Sequence, residues 1–112
     1  MAELDLVRGT LDMLVLKALI WGPRHGYAVT AWIRAISAEE LQVEDGALYA
    51  ALHRLAARGV VETEWGLSDN NRKAKYYRLT AAGRRRLGEE TASWNRLVEA
   101  IARALAVTPQ EI

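Results

Sequence analysis

The chain has 112 residues, 51% of them hydrophobic, which suits a single domain with a buried core. It contains no cysteine, so disulfide scaffolds, thiolate zinc sites and cysteine nucleophiles are excluded. No apolar stretch reaches the roughly 18 residues that a membrane span needs, and the acidic N-terminus is unlike a secretory signal. We therefore expect a cytoplasmic protein with no membrane partner and no cofactor.

The formal net charge is only +1, but the charges are unevenly distributed. Residues 54–86 contain nine of the 15 lysines and arginines and three acids, a net charge of +6, while the remaining residues carry −5. Such a block indicates a polyanionic partner that is met on one side. The alternative is a solvated surface whose counter-charges lie elsewhere in the fold, and charge alone leaves both open.

Hydrophobic periodicity predicts two helices in the first part of the chain. The first ends at Gly22-Pro23, and the second follows His25-Gly26 and ends near Ser37. The apolar stripe of the first helix consists of Leu11, Leu14, Val15, Ala18 and Leu19.

A third helix is predicted from Asp45 to Arg58, with Gly59 as its stop. Its inward stripe is Leu48, Ala51, Leu52 and Leu55. At 100° per residue, the opposite face presents Gly46, Tyr49, Ala50, His53 and Ala57, with Arg54 at its edge.

A β-hairpin is predicted next. Val61, Thr63 and Trp65 alternate in the first strand, and Tyr77 and Leu79 face the same way in the second. The connection from Gly66 to Lys73 is polar, and the return strand opens with basic residues. We interpret Trp21, Trp32 and Trp65 as core or hairpin packing residues.

The last helix is predicted from Ala81 to Ala106, capped by Thr80. Its apolar positions are spaced by four, three, four, three and four residues, a heptad seam with Thr91 as its weak member: Leu87, Thr91, Trp94, Val98, Ile101 and Leu105. A helix of this length extends about 39 Å, so a single copy of the domain cannot cover the seam. A second copy related by a two-fold axis is the simplest cover.

This element order predicts a mainly α fold with a small β-hairpin. We expect a winged helix-turn-helix over residues 1–80 and a C-terminal dimerisation helix over residues 81–112. A helix about 10–12 Å across fits the DNA major groove, and the hairpin can reach the backbone beside it. The candidate DNA-binding residues are Gly46, Tyr49, His53 and Arg54 on the third helix and Arg72, Lys73 and Lys75 on the wing.

Four stretches together resemble the PadR family of winged-helix transcriptional regulators: residues 8–14 (RGTLDML), 25–27 (HGY), 46–55 (GALYAALHRL) and 76–83 (YYRLTAAG). The resemblance covers nearly the whole chain and is strongest to the compact branch with one C-terminal helix. It implies a homodimeric repressor that binds a palindromic operator as double-stranded DNA and leaves it when a small effector binds or conditions change. It also implies that the first helix, with Leu11 and Leu14, shares the dimer interface with the last.

The third helix departs from the usual family pattern. Glu44-Asp45 precede the glycine, Ala47 replaces a threonine, and Ala50 replaces a proline. Two carboxylates suit the positive end of a helix but would repel a phosphate that they faced. The bases that this helix reads therefore do not follow from the resemblance.

Trp94 has two interpretations. In short members of this family a tryptophan at a similar place lines a cavity and stacks planar aromatic compounds, which would make Trp94 part of an effector pocket. Alternatively, two copies of Trp94 simply fill the dimer core.

Two other classes of function compete with DNA binding. Catalysis has little support, because the two histidines lack metal-ligand spacing and the acid pairs Glu39-Glu40 and Glu89-Glu90 are adjacent and diverge. A non-enzymatic interaction module that binds an acidic protein through its basic face stays open, and salt dependence of binding separates it in part from DNA binding.

Overall fold

The computed structural model describes residues 8–111, so the two outer limits of the predicted domains, residues 1–7 and 112, lie outside the described residues. Four α-helices, three strands and a short 3-10 helix follow one another. In chain order they are α1 (Arg8–Ala18), β1 (Arg24–His25), α2 (Gly26–Ile36), α3 (Asp45–Ala57), β2 (Val61–Leu67), β3 (Lys73–Leu79), α4 (Ala81–Ala106) and the 3-10 helix (Pro109–Glu111). This is the predicted order of a winged helix-turn-helix with a long last helix.

The hairpin belongs to a three-stranded antiparallel sheet in the order β1-β3-β2. Val61 pairs with Leu79 and Thr63 with Tyr77, so the side chains predicted to face one way do so. Strand β1 was not predicted, because two residues are too short to show a period of two. It pairs Arg24 with Tyr77 and thereby fixes the start of α2 against the wing.

The core lies between α1, α2, α3 and the base of the hairpin. The predicted inward stripe of α3 is confirmed, since Leu48, Ala51, Leu52 and Leu55 are all buried. Each large aliphatic side chain buried in this way contributes about 1.5–3 kcal/mol relative to exposure. The same stripe therefore holds α3 down and leaves its opposite face outward.

Two of the three tryptophans interpreted as packing residues are exposed. Trp21 is 64% exposed and Trp65 is 63% exposed, so neither belongs to the core. Trp32 is partly buried against the core, and its ring centroid lies 5.6 Å from that of Trp21. The core interpretation is therefore wrong for Trp21 and Trp65, because residue spacing alone does not show where an element extends beyond its neighbours. Packing within the hairpin stays open for Trp65, which has the Lys73 ammonium 5.0 Å from its ring centre.

Helix α4 has two halves with different surroundings. The Thr80 hydroxyl accepts a hydrogen bond from the Gly83 amide at 3.0 Å, which confirms the predicted cap. Gly83 lies so close to the Val60 carbonyl that a Cβ at this position would collide with it. Gly83 and Leu87 are buried, whereas every residue from 91 to 106 is exposed. None of the described helices combines the length and the apolar character that crossing a membrane requires.

Candidate nucleic-acid interface

Tyr49 lies on the outward face of α3 and is positioned by the start of α2. A Cβ added at Gly26 would come within 2.6 Å of the Tyr49 hydroxyl oxygen, so the absence of a side chain at Gly26 makes room for the ring. Tyr49 is nevertheless 49% exposed. The phenol is therefore braced on one side and open to solvent on the other.

The remaining outward residues of α3 are small or polar. Gly46, Ala50 and His53 are exposed, as predicted from the helical period. Glu44 and Asp45 are exposed at the N-terminal end of α3. An approaching molecule thus meets small residues along the helix and two carboxylates at its N-terminal end.

Arg54 is held inside the fold, which corrects its prediction as a DNA-binding residue. Its Nη2 donates to Asp12 Oδ1 at 2.7 Å, and Asp12 is buried. Arg58 Nη1 lies 3.8 Å from the other oxygen, Asp12 Oδ2. A buried carboxylate needs a cationic partner, and Arg54 supplies it by linking α3 to α1. The partner is 42 positions away in the chain, so no local pattern reveals it.

Three cations of the wing, unlike Arg54, are exposed and form no ion pair among the described residues. Arg72, Lys73 and Lys75 are exposed, and none of them lies within ion-pair distance of a carboxylate in the described part of the chain. By contrast, Arg78 on the other face of the same strand pairs with Glu62 at 2.8 Å, and this hydrogen bond raises the pKa of Arg78 above its ordinary value. The three wing cations therefore have charge available for a partner molecule.

The turn between β2 and β3 fixes where these cations lie. The Ser68 amide donates to the Arg72 carbonyl at 2.8 Å, and the Asn71 amide donates to the Ser68 carbonyl at 2.8 Å. Asn71 has a φ of +59°, a left-handed conformation that asparagine tolerates better than most residues. The tip is thus an ordered turn.

An open cleft of about 810 Å³ separates the wing from α2 and α3, and of the predicted DNA-binding residues it brings together Tyr49, Lys73 and Lys75. Tyr49 lines one side, and Lys73 and Lys75 line the other. Arg24 and Tyr27 also line it, and sequence reasoning did not name either as a site residue. Their one available signal was their position in and next to the HGY stretch.

The predicted dimer residues divide into two groups. Leu11 and Leu87 are buried within the core of one subunit and Leu14 is partly buried, because the first half of α4 packs on α1 of the same chain. This corrects the expectation that Leu11 and Leu87 face a partner. The outer half of α4 instead presents an exposed apolar strip formed by Trp94, Leu97, Val98, Ile101 and Leu105. Leu97 was not predicted, although it follows Trp94 at helical spacing.

Trp94 lines a shallow apolar cleft of about 430 Å³ between α1 and α4. Its other walls include Thr10, Met13 and Leu97. This cleft is open to solvent.

Comparisons with known proteins agree with this architecture. The sequence model of the Transcriptional regulator PadR-like family matches residues 15–89. An uncharacterized protein X from Lysinibacillus sphaericus is 32% identical over 101 residues, which is 90% of this chain and 93% of that protein. The structure of a transcriptional regulator from Clostridium thermocellum superposes with a TM-score of 0.81 at 26% identity, over 92% of this chain and 97% of that one. A PadR family transcriptional regulator from Eggerthella lenta gives a TM-score of 0.73 at 34% identity, over 90% of this chain and 86% of that one.

Proposed function

We propose that this chain, which belongs to the PadR-like family of transcriptional regulators, acts as a homodimeric repressor that binds a palindromic DNA operator. The observation that carries the proposal is the shared cleft. Tyr49 of α3 and the unpaired Lys73 and Lys75 of the wing face the same space, so one duplex can meet both. The wing cations bind phosphates, and α3 reads base edges in the major groove.

The exposed face of α3 suits close approach to DNA. Gly46 and Ala50 have little or no side chain, so the helix backbone can lie near the groove floor. Tyr49 and His53 provide a hydroxyl and an imidazole that can hydrogen-bond to base edges or to the backbone. Arg54 has no direct part in this contact, since it is bound to Asp12.

The exposed outer half of α4 supports the proposed dimer. A strip of five large apolar residues along one side of a helix is costly to leave in water, and its spacing fits a helix–helix seam. A second copy of the chain covers it with a matching strip around a two-fold axis. The two α3 helices then address half-sites about one turn of DNA apart, arranged as an inverted repeat.

We also propose that a small effector binds beside Trp94. The apolar cleft beside Trp94 supports a small planar aromatic ligand that stacks on the indole ring. A variant that retains only Trp94, with the other three tryptophans replaced by phenylalanine, is titrated with planar cations and phenolic compounds. A change in emission supports the pocket, whereas constant emission across the panel means that Trp94 only fills the dimer core.

DNA binding is tested by salt dependence and by footprinting on a duplex selected from a random pool by the purified protein. If the dimer neutralises roughly six phosphates or more, its affinity falls about 10³-fold or more between about 50 and 200 mM salt. The protected region is expected to have dyad symmetry. A flat salt response and no selected sequence would instead favour the acidic protein partner.

The dimer is tested with Ile101→Asp, which introduces a carboxylate into the exposed strip of each subunit. We expect this variant to run as a monomer in light scattering. Ala92→Asp is the matched control, because position 92 lies nine residues away and therefore on the opposite side of α4. A dimer that survives Ile101→Asp as well as Ala92→Asp would refute the seam.

A further inference from the structure

The outer end of the wing carries two large apolar side chains beyond the core. Trp65 is 63% exposed and Leu67 is 65% exposed. Val61 and Tyr77, on the same face of the hairpin but nearer its base, are buried. The hairpin thus continues past the body of the domain and takes its apolar face with it.

The strand register mixes these apolar residues with the wing cations. Trp65 lies directly opposite Lys75, and Leu67 lies directly opposite Lys73. In an antiparallel pair, residues opposite each other project from the same face of the sheet. The Lys73 ammonium also lies 5.0 Å from the centre of the Trp65 ring. This face of the wing is therefore apolar and cationic at once.

The opposite face of the wing stiffens this region. The Tyr76 hydroxyl donates to the Leu67 carbonyl at 2.8 Å, across the two strands. Gly66 leaves space for the Tyr76 ring, since a Cβ at that position would lie 3.2 Å from two ring carbons. Trp65 and Leu67 are thus presented from an ordered pair of strands.

We propose that Trp65 and Leu67 form an apolar wedge that enters the DNA minor groove beside each half-site, an inference that rests on the proposed DNA-binding function. Lys73 and Lys75 favour an anionic partner, because they have no carboxylate partner in the described part of the chain. It must also offer apolar surface to an indole ring. Deoxyribose and the edges of stacked bases provide that surface between two rows of phosphates, and the cleft that holds Tyr49 borders the same face of the wing.

A wedge of this kind changes the shape of the DNA. Apolar side chains that enter the minor groove partly unstack a base step and bend the duplex by about 20–90°. Pyrimidine–purine steps such as TA unstack most easily. The wing of this protein therefore adds a preference for a flexible step flanking the bases that α3 reads.

The chain offers a matched control for this wedge. Trp21 is 64% exposed and has the Lys17 ammonium 5.2 Å from its ring centre, so it resembles Trp65 in exposure and in its cationic neighbour. It lies just after α1, outside the hairpin, and its ring packs against that of Trp32. Trp65→Ala and Trp21→Ala thus remove the same side chain from two different surfaces.

Both variants are compared with the wild type on the pool-selected duplex, after thermal melting has shown that each is folded. We expect Trp65→Ala to lose at least about 5-fold in affinity, since each aromatic side chain that stacks on a base contributes about 5- to 100-fold and the dimer loses two, whereas Trp21→Ala should bind as the wild type does. Energy transfer between dyes at the ends of the duplex should report a smaller bend with Trp65→Ala. In Trp65→Phe the quenching of intrinsic fluorescence by DNA should largely disappear, whereas Trp21→Phe retains it.

Other results would overturn the wedge. Equal affinity and equal bending by the two alanine variants would refute it and leave the regulator intact, whereas failure of the wild type to bind any duplex would refute both. A Trp65 emission that responds to vesicles of anionic phospholipid or to an acidic protein, and not to the duplex, would assign this face to a different partner. Loss of affinity without a change of flanking-step preference would make Trp65 a plain backbone contact and refute its role as a wedge.

Discussion

The basic segment, residues 54–86, contains one group of cations that pair with a buried carboxylate and another group that has no carboxylate partner. Arg54 and Arg58 lie 2.7 and 3.8 Å from the carboxylate oxygens of the buried Asp12 and stabilise the fold. Arg72, Lys73 and Lys75 extend from the wing without a carboxylate partner among the described residues. A charge count along the sequence therefore overstates the charge that is available for binding. Only cations that have no carboxylate partner within the fold are available to bind a polyanion.

The largest expected effect on stability is that of Arg54→Ala. The change leaves Asp12 buried with Arg58 as its remaining partner at 3.8 Å, so we expect the free energy of unfolding to fall by about 3 kcal/mol. Urea denaturation measures this loss. Arg72→Ala, on the wing, is the control and should change stability by less than about 0.5 kcal/mol. Similar losses in the two variants would erase the distinction between the two groups.

The wing cations should show the reverse behaviour. Arg72, Lys73 and Lys75 changed together to alanine should weaken binding to all duplexes at least about 100-fold while the melting temperature stays close to that of the wild type. With six charges removed from the dimer, the slope of log affinity against log salt should fall by about 5. Titrations at several salt concentrations measure both quantities. A loss confined to one DNA sequence would mean that these residues read bases.

Arg78 provides an intermediate case, a paired cation on an exposed surface. Its ion pair with Glu62 is open to solvent and screened, so Arg78→Ala should lower the free energy of unfolding far less than Arg54→Ala does. Denaturation in parallel with Arg54→Ala tests whether burial, rather than pairing as such, separates the two groups. A loss as large as that of Arg54→Ala would show that pairing alone decides.

Features set by nearby residues could be predicted from the sequence. The inward stripe of α3, the Thr80 cap and the full extent of α4 from Ala81 to Ala106 follow from periodicity and local hydrogen bonding, and the structure has all three. The outward position of Tyr49 and the basic return strand of the wing follow in the same way. These parts of the candidate interface depend on one element at a time.

Features set by distant residues could not be predicted. The pair formed by Arg54 and Asp12 joins two helices, and the burial of Leu87 depends on how α4 lies on α1. The exposure of Trp65 depends on how far the hairpin extends beyond the core formed by α1, α2 and α3. In each case the decisive neighbour is remote in the chain, so side-chain spacing is the same whether the residue faces the core, a partner or water.

The smallest expected effect concerns Tyr77, which lies where the wing meets the core. Burial, and secondarily the neighbouring Tyr49 phenol, raise the pKa of Tyr77 above its ordinary value of 10.0. The buried neutral phenol therefore contributes stability that is fully present below about pH 10 and is lost as the pH rises through the raised value in the folded protein. Melting temperatures measured from about pH 8 to 11 should show the wild type losing stability relative to Tyr77→Phe only in the alkaline range. Tyr27→Phe, which changes an exposed tyrosine, should melt in parallel with the wild type, and parallel curves for Tyr77→Phe as well would mean that the Tyr77 phenol is not buried in solution.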